Sequence, residues 1–429
     1  MHRLVLILVF LTFLSGGIQA SSAAYDYPIA DPLAATVVGT PSEYRAVVER
    51  DIPRKEKKIV IFPERKVPGI VIHPALLYSI AAQKGPSPLI FVIAGTGSSH
   101  HSAKMKLLEA AFYAKGFHVV SLSSPTYSNF IVTASSTHIP GRTSEDAADL
   151  YRVMKAIWEE QRQRLEVTDF YVTGYSLGGT NAAFVSKLDE RQQVFNFKKV
   201  LLINPPVNLY HSVGILDAML DRNIPGPVAP DFNTFLERVM KRFTEVYSRN
   251  DDLNFNDEFL YRIYEEGVDA QKLPAKANLE AIIGAAFRIS SANMLTAADF
   301  VAQRGFVIPR NHQFRVSEST TPYFKVAART SYIDYFNDMY VPYFLERDPA
   351  STRTSLIRES SLESIESYLR GAEKIGVVHN ADDIILAPGE IDYFRQVFGS
   401  RAKIYPRGGH CGNLEHRDNL AYITGFFKN

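Results

Sequence analysis

Apolar residues run without interruption from 89 to 93 and stop at Ala94-Gly95-Thr96-Gly97. Runs of this kind mark strands covered on both faces of a parallel sheet. Mainly apolar stretches at 117–122, 170–173 and 200–203 predict three more strands, the last closed by Asn204-Pro205-Pro206. Between them the spacing turns helical. Residues 102–115 read as a helix closed by Gly116. Residues 143–164 read as a second, with Leu150, Val153, Met154 and Ile157 on one face. Thr143 or Ser144 is its expected cap, and Glu145 and Asp146 sit in its first turn, where the helix dipole favours acids. Residues 178–189 read as a third. Four alternations of strand and helix predict an α/β fold, a mostly parallel sheet flanked by helices and joined by right-handed crossovers.

The alternation breaks near residue 210. From there to 371 the chain reads as mainly helical, with helical spacing at 235–247, 257–265 and 279–287. It resumes with a strand at 375–378, a helix at 389–398, a strand at 402–405 and a helix at 419–427. The simplest organisation is one α/β domain, residues 21–209 and 372–429, interrupted by a helical cap at 210–371. Late in that insertion Tyr323, Phe324, Tyr332, Tyr335, Phe336, Tyr340, Tyr343 and Phe344 cluster, several at helical spacing. Packing of the cap accounts for them better than a substrate pocket does. Upstream, residues 58–62 read as a strand, and Arg54-Lys55-Lys57-Lys58 as a solvated basic segment.

Residues 1–20 stand apart. A short basic start, an apolar stretch at 4–14, a Ser-Gly-Gly break and a small residue at Ala20 make the layout of a secretory signal peptide, with Ala23 and Ala24 as other cleavage points. The expected location is outside the cytoplasm, periplasmic or secreted. No later segment reads as apolar enough to cross a bilayer, so no membrane span is expected after cleavage. Composition narrows the function. Of 429 residues, 47 are basic and 46 acidic, which excludes a strongly basic nucleic-acid binder. The single cysteine, Cys411, excludes an internal disulfide and a cysteine-based zinc cluster.

The strongest chemical signal is Gly174-Tyr175-Ser176-Leu177-Gly178-Gly179. It lies between an expected strand and an expected helix. A serine on such a corner sits on a sharp turn with its hydroxyl projecting from the sheet edge. Flanking glycines are needed where a side chain would strike neighbouring backbone. The helix that follows turns its N–H groups and positive end toward a developing oxyanion.

Serine needs a base, and the base an orienting acid. In this type of site the chain order is serine, acid, histidine. His379-Asn380-Ala381-Asp382-Asp383 follows one late strand, and Gly408-Gly409-His410 follows the next. His410 is the expected base. Asp383 is the expected acid, set against the common loop form G-x-x-D with Asn380 in the glycine place; Asp382 is the alternative. His379 is a second choice of base and reads better as a packed residue.

The oxyanion donors should be the N–H of Leu177 and that of Thr96, with Gly97 as the alternative. The Gly95-x-Gly97 pattern lacks the remaining signature of a nucleotide loop. His100-His101 has no His-x-x-x-His or carboxylate spacing beside it, so capping or a pocket edge explains it better than a metal, and no metal is expected. Cys411 reads as a small packing residue.

Together Ala94-Gly95-Thr96-Gly97, the serine motif, Asn380-Ala381-Asp382-Asp383 and Gly408-Gly409-His410 resemble the α/β-hydrolase superfamily. The resemblance covers about residues 85–210 and 372–429. It implies a Ser176–His410–Asp383 triad, no cofactor, and hydrolysis through a covalent acyl-enzyme. Ala94 stands where many relatives carry histidine. The leading expectation is an exported serine hydrolase of carboxylic esters, acting on small-molecule or lipid esters. A peptidase or amidase with the same triad is the alternative, and a non-catalytic binding protein on the same fold is a third.

Overall fold

The computed structural model describes residues 25–67, 73–223, 276–315 and 317–428. The expected signal peptide and the expected helices at 235–247 and 257–265 lie outside these residues.

Eight strands form one sheet: β1 Arg54–Ile59, β2 Leu76–Ala81, β3 Ser87–Ile93, β4 His118–Leu122, β5 Val167–Tyr175, β6 Lys199–Ile203, β7 Ile375–Asn380 and β8 Ala402–Tyr405. Their order is β1-β2-β4-β3-β5-β6-β7-β8. The first two pairings, β1 with β2 and β2 with β4, are antiparallel, and every later one is parallel. This is the expected α/β-hydrolase-type architecture. Alternate residues of β3 serve opposite faces, as the pleat requires. Phe91 and Ile93 enter one core layer, Ile90 and Val92 the other.

The helices before β7 are α1 Pro32–Val38, α2 Ala103–Tyr113, α3 Ser128–Thr133, α4 Thr143–Gln161, α5 Leu177–Gln192, α6 Leu209–Asn223 and α7 Lys276–Ala302. Then come α8 Thr321–Ala327, α9 Tyr332–Tyr335, α10 Val341–Arg347, α11 Arg353–Glu359 and α12 Glu366–Gly371, with a π turn at Phe336–Tyr340 joining α9 to α10. Finally, α13 Glu390–Phe398 lies between β7 and β8, and α14 Arg417–Gly425 follows β8. No strand interrupts the described residues between β6 and β7.

The aromatic cluster is packing, as expected. Tyr332, Tyr335, Phe336, Tyr340 and Phe344 are buried in a core shared with α6 and α7, and the Tyr335 hydroxyl donates to Pro140 O at 2.8 Å.

Four readings need correction. The strand expected at 58–62 begins earlier, and the basic segment is that strand. Lysines suit an unpaired sheet edge because their charge opposes pairing with another chain. Arg54 is not solvated: its guanidinium bonds the buried Glu109 at 2.7 Å. β2 and α3 lacked a clear sequence signal. Neither Thr143 nor Ser144 caps α4, since Arg142 holds the cap position without a side-chain bond and Asp146 instead accepts from Gly141 N at 2.8 Å. Finally, residues Leu279–Ala302 are long and apolar enough to cross a membrane by length and composition. That helix, α7, is mostly buried within the protein, with Ala285, Ile289, Ala292 and Leu295 in the helical core.

Candidate active site

Ser176 sits between β5 and α5 with φ 53° and ψ −129°, a conformation rare for a residue with a side chain. Two glycines make the corner possible. A Cβ at Gly174 would lie 2.3 Å from Gly178 O, and one at Gly178 would lie 2.2 Å from Ile93 O. The turn is held by Ser176 N, which donates to Ile203 O at 2.8 Å.

His410 Nε2 lies 3.0 Å from Ser176 Oγ. Its Nδ1 lies 3.0 Å from both carboxylate oxygens of Asp383. Asp383, on the turn after β7, is wholly buried at its side chain. It also accepts from Asn204 Nδ2 at 2.9 Å and from Ile385 N at 3.2 Å. Burial pushes its carboxyl up, but the His410 imidazole, then His379 and the Asn204 amide, outweigh that and hold it below the usual aspartate value. It stays ionised at neutral pH.

Asp382 does not face the imidazole. Its oxygens accept from Gly408 N at 3.2 Å and Gly409 N at 3.0 Å, which clasps the histidine loop. His379 is fully buried and bonds Pro205 O at 3.0 Å. Burial lowers its pKa, so it is a neutral packed residue.

The loop after β3 brings Thr96 beside the serine. Among the described residues, neither Thr96 N–H nor Leu177 N–H has a hydrogen-bond partner. Gly97 N–H is already spent on Thr126 Oγ1 at 2.8 Å, which removes it as the alternative donor. Gly97 has φ 67°, and a Cβ there would lie 2.8 Å from Ser290 Cβ on α7. Cys411 lines the same cleft. Burial pushes its thiol up to about 12, so it is not a nucleophile at neutral pH.

Three contributors had no clear signal in the sequence. Thr36 on α1 accepts from His410 N at 2.9 Å through Oγ1 and donates to Pro32 O. Asn204 had a weak one, its place directly after a strand and before two prolines. Thr126 had none. The cleft above Ser176 encloses roughly 840 Å³, including its open mouth, and is walled by Leu209, Val213 and Leu216 of α6, Ile283 and Phe287 of α7, and Ile384 and Ile385.

No protein-family model matches the chain, and no curated protein matches it. Solved structures similar to it include a thioesterase domain from the curacin biosynthetic pathway, at 13% identity and TM-score 0.37, covering 87% of this chain and 98% of that one. Est1E from Butyrivibrio proteoclasticus is similar at 12% identity and TM-score 0.35, covering 86% and 94%. Brefeldin A esterase, a bacterial homologue of human hormone sensitive lipase, is similar at 15% identity and TM-score 0.40, covering 93% and 87%.

Proposed function

We propose that this chain, an α/β hydrolase by its mostly parallel sheet and its strand–elbow–helix turn, is an exported serine hydrolase of carboxylic esters. The observation that carries the reading is the unbroken line from Ser176 Oγ through His410 to Asp383, with 3.0 Å at each step. In this reading His410 Nε2 takes the hydroxyl proton as Oγ attacks the ester carbonyl. The N–H groups of Thr96 and Leu177 receive the oxyanion. Collapse expels the alcohol, which leaves with the proton from Nε2. Water then adds to the acyl-enzyme by the same route and the acid departs. Asp383 keeps the imidazole proton on Nδ1 and stabilises the imidazolium. None of these steps calls for a cofactor.

The apolar walls of the cleft support an acyl or alcohol chain of hydrocarbon character, lipid esters included. Helices α6 and α7, which fall almost wholly within the expected cap, supply part of those walls. The leader at 1–20 directs the protein to the periplasm or the medium.

Hydrolysis of p-nitrophenyl esters from acetate to palmitate, by the protein beside Ser176→Ala, tests the reading. Turnover confined to the unmodified serine is the expected result. Undiminished turnover in the variant would sink the assignment of Ser176. Turnover on aminoacyl amides alone would make the enzyme an amidase.

A further inference from the structure

The loop that carries Thr96 continues into His100 and His101, which come against the edge strand β1. Arg54 and Glu56 share one face of that strand, two residues apart. Arg54 is spent on Glu109. Glu56 instead brings Oε2 to 3.0 Å from His100 Nε2, across 44 residues of sequence. This is the carboxylate that local spacing did not supply.

We infer that Glu56, His100 and His101 form a zinc-binding site. One candidate ligand atom from each lies within 4.8 Å of the others. Tetrahedral zinc, with bonds near 2.0–2.1 Å, sets its ligands about 3.3 Å apart. His100 is an anchored ligand at 1% side-chain exposure, whereas Glu56 is 54% exposed and free to swing in. His100 Nε2 and Glu56 Oε2 already stand 3.0 Å apart, so a small adjustment that brings His101 and the glutamate to that spacing completes three of four positions and leaves the fourth for water. Two imidazoles with one carboxylate suit zinc, unlike the all-oxygen shells of calcium and magnesium.

The surroundings fit a ligand role for His100. Its Nδ1 lies 3.2 Å from Ser123 Oγ, the kind of partner that orients a metal-bound imidazole. Without metal, Nε2–H donates to Glu56. With zinc on Nε2, the single ring proton resides on Nδ1 and donates to Ser123 Oγ. The second cluster of similar type, Asp26, His416 and Asp418, is a poorer host because Arg417 already pairs with Asp26.

Isothermal titration of the chelator-stripped full chain with zinc chloride tests the inference, with magnesium and calcium chloride as controls. One zinc per chain is expected, without comparable binding of magnesium or calcium. Glu56→Gln and His101→Gln should each weaken zinc by at least about 100-fold, and Ser123→Ala by roughly 10-fold. Asp26→Asn should leave it unchanged. Glu56 is exposed, so Glu56→Gln tests the site without disturbing the core, and circular dichroism checks the fold of each variant. Absence of stoichiometric zinc, binding kept by both Glu56→Gln and His101→Gln, or loss in Asp26→Asn overturns the inference. None of these readouts depends on ester turnover.

Discussion

Asp383→Asn separates orientation of the imidazole from the other demands on the site. Every group hydrogen-bonded to the Asp383 carboxylate is a donor: His410 Nδ1 at 3.0 Å from each oxygen, Asn204 Nδ2 at 2.9 Å and Ile385 N at 3.2 Å. An asparagine puts an NH2 among them. At the Oδ1 position it would oppose the Ile385 N–H, which cannot turn away. The amide nitrogen therefore settles at the Oδ2 position, where the Asn204 amide can flip to accept from it. In that pose His410 Nδ1 meets the NH2 on one side and the amide oxygen on the other, so the imidazolium loses its counter-charge and the tautomer with its proton on Nε2 becomes populated. That imidazole cannot take the proton of Ser176. A wrong tautomer in such a triad costs about 10⁴ in kcat, or roughly 5.5 kcal/mol of barrier. Folding loses only one charge-assisted arrangement, about 1–3 kcal/mol. Asp383 does not line the cleft, so KM should change little. Steady-state rates on the best p-nitrophenyl ester, paired with thermal melting, read both quantities. A folded Asp383→Asn protein that keeps more than about a tenth of the kcat would refute the role given to Asp383, since the tautomer argument requires far more.

Thr36→Val removes the acceptor of His410 N and frees the histidine loop; kcat should fall by about 10- to 100-fold in rate assays, and Thr36→Ser should restore it. Gly178→Ala sets a Cβ 2.2 Å from Ile93 O and 2.6 Å from Ala94 O, so soluble folded protein should be lost in expression and melting trials. Asp217 is buried beside Arg288, and burial holds its carboxyl at about 6. The unfolded chain releases that proton near ~4, so the folded state binds more protons in between. The stability from this group is complete below about pH 4 and lost as pH climbs through 6, in all roughly 3 kcal/mol. Melting of the protein against Asp217→Asn from pH 4 to 7 should show that difference, and parallel curves would refute it.

The parallel half of the sheet was legible because the centres of its strands are buried on both faces and read as mainly apolar runs. β1 was misread because an edge strand needs no apolar face: Arg54, Lys55, Lys57 and Lys58 look like a solvated segment until the partner strand is known. β2 is an interior strand, paired with β1 and β4, whose apolar run is broken by Tyr78 and Ser79. The serine corner was legible because its strain demands glycine at fixed offsets. The preference for Asp383 over Asp382 rested on the loop form alone, since both follow β7 and only tertiary placement sends one to the imidazole and the other to the Gly408 and Gly409 amides.

The residues that hold the site together are the ones with the least sequence signature. Thr36 lies 374 residues from His410, yet its hydroxyl takes the backbone N–H of that histidine. The contact needs Gly409, because a Cβ there would lie 2.3 Å from Pro32 O and 2.5 Å from Thr36 Oγ1. The glycines beside His410 therefore do more than loosen a loop: they let α1 lie against it, while Asp382 clasps the same turn from the side of β7. Gly97 does the same for α7, whose Ser290 lies against the loop carrying Thr96. A helix that walls the cleft thus lies against the segment proposed to supply an oxyanion donor. In that reading substrate fit and stabilisation of the tetrahedral intermediate meet in one loop, whose close approach to the helix a sequence pattern shows only as a glycine.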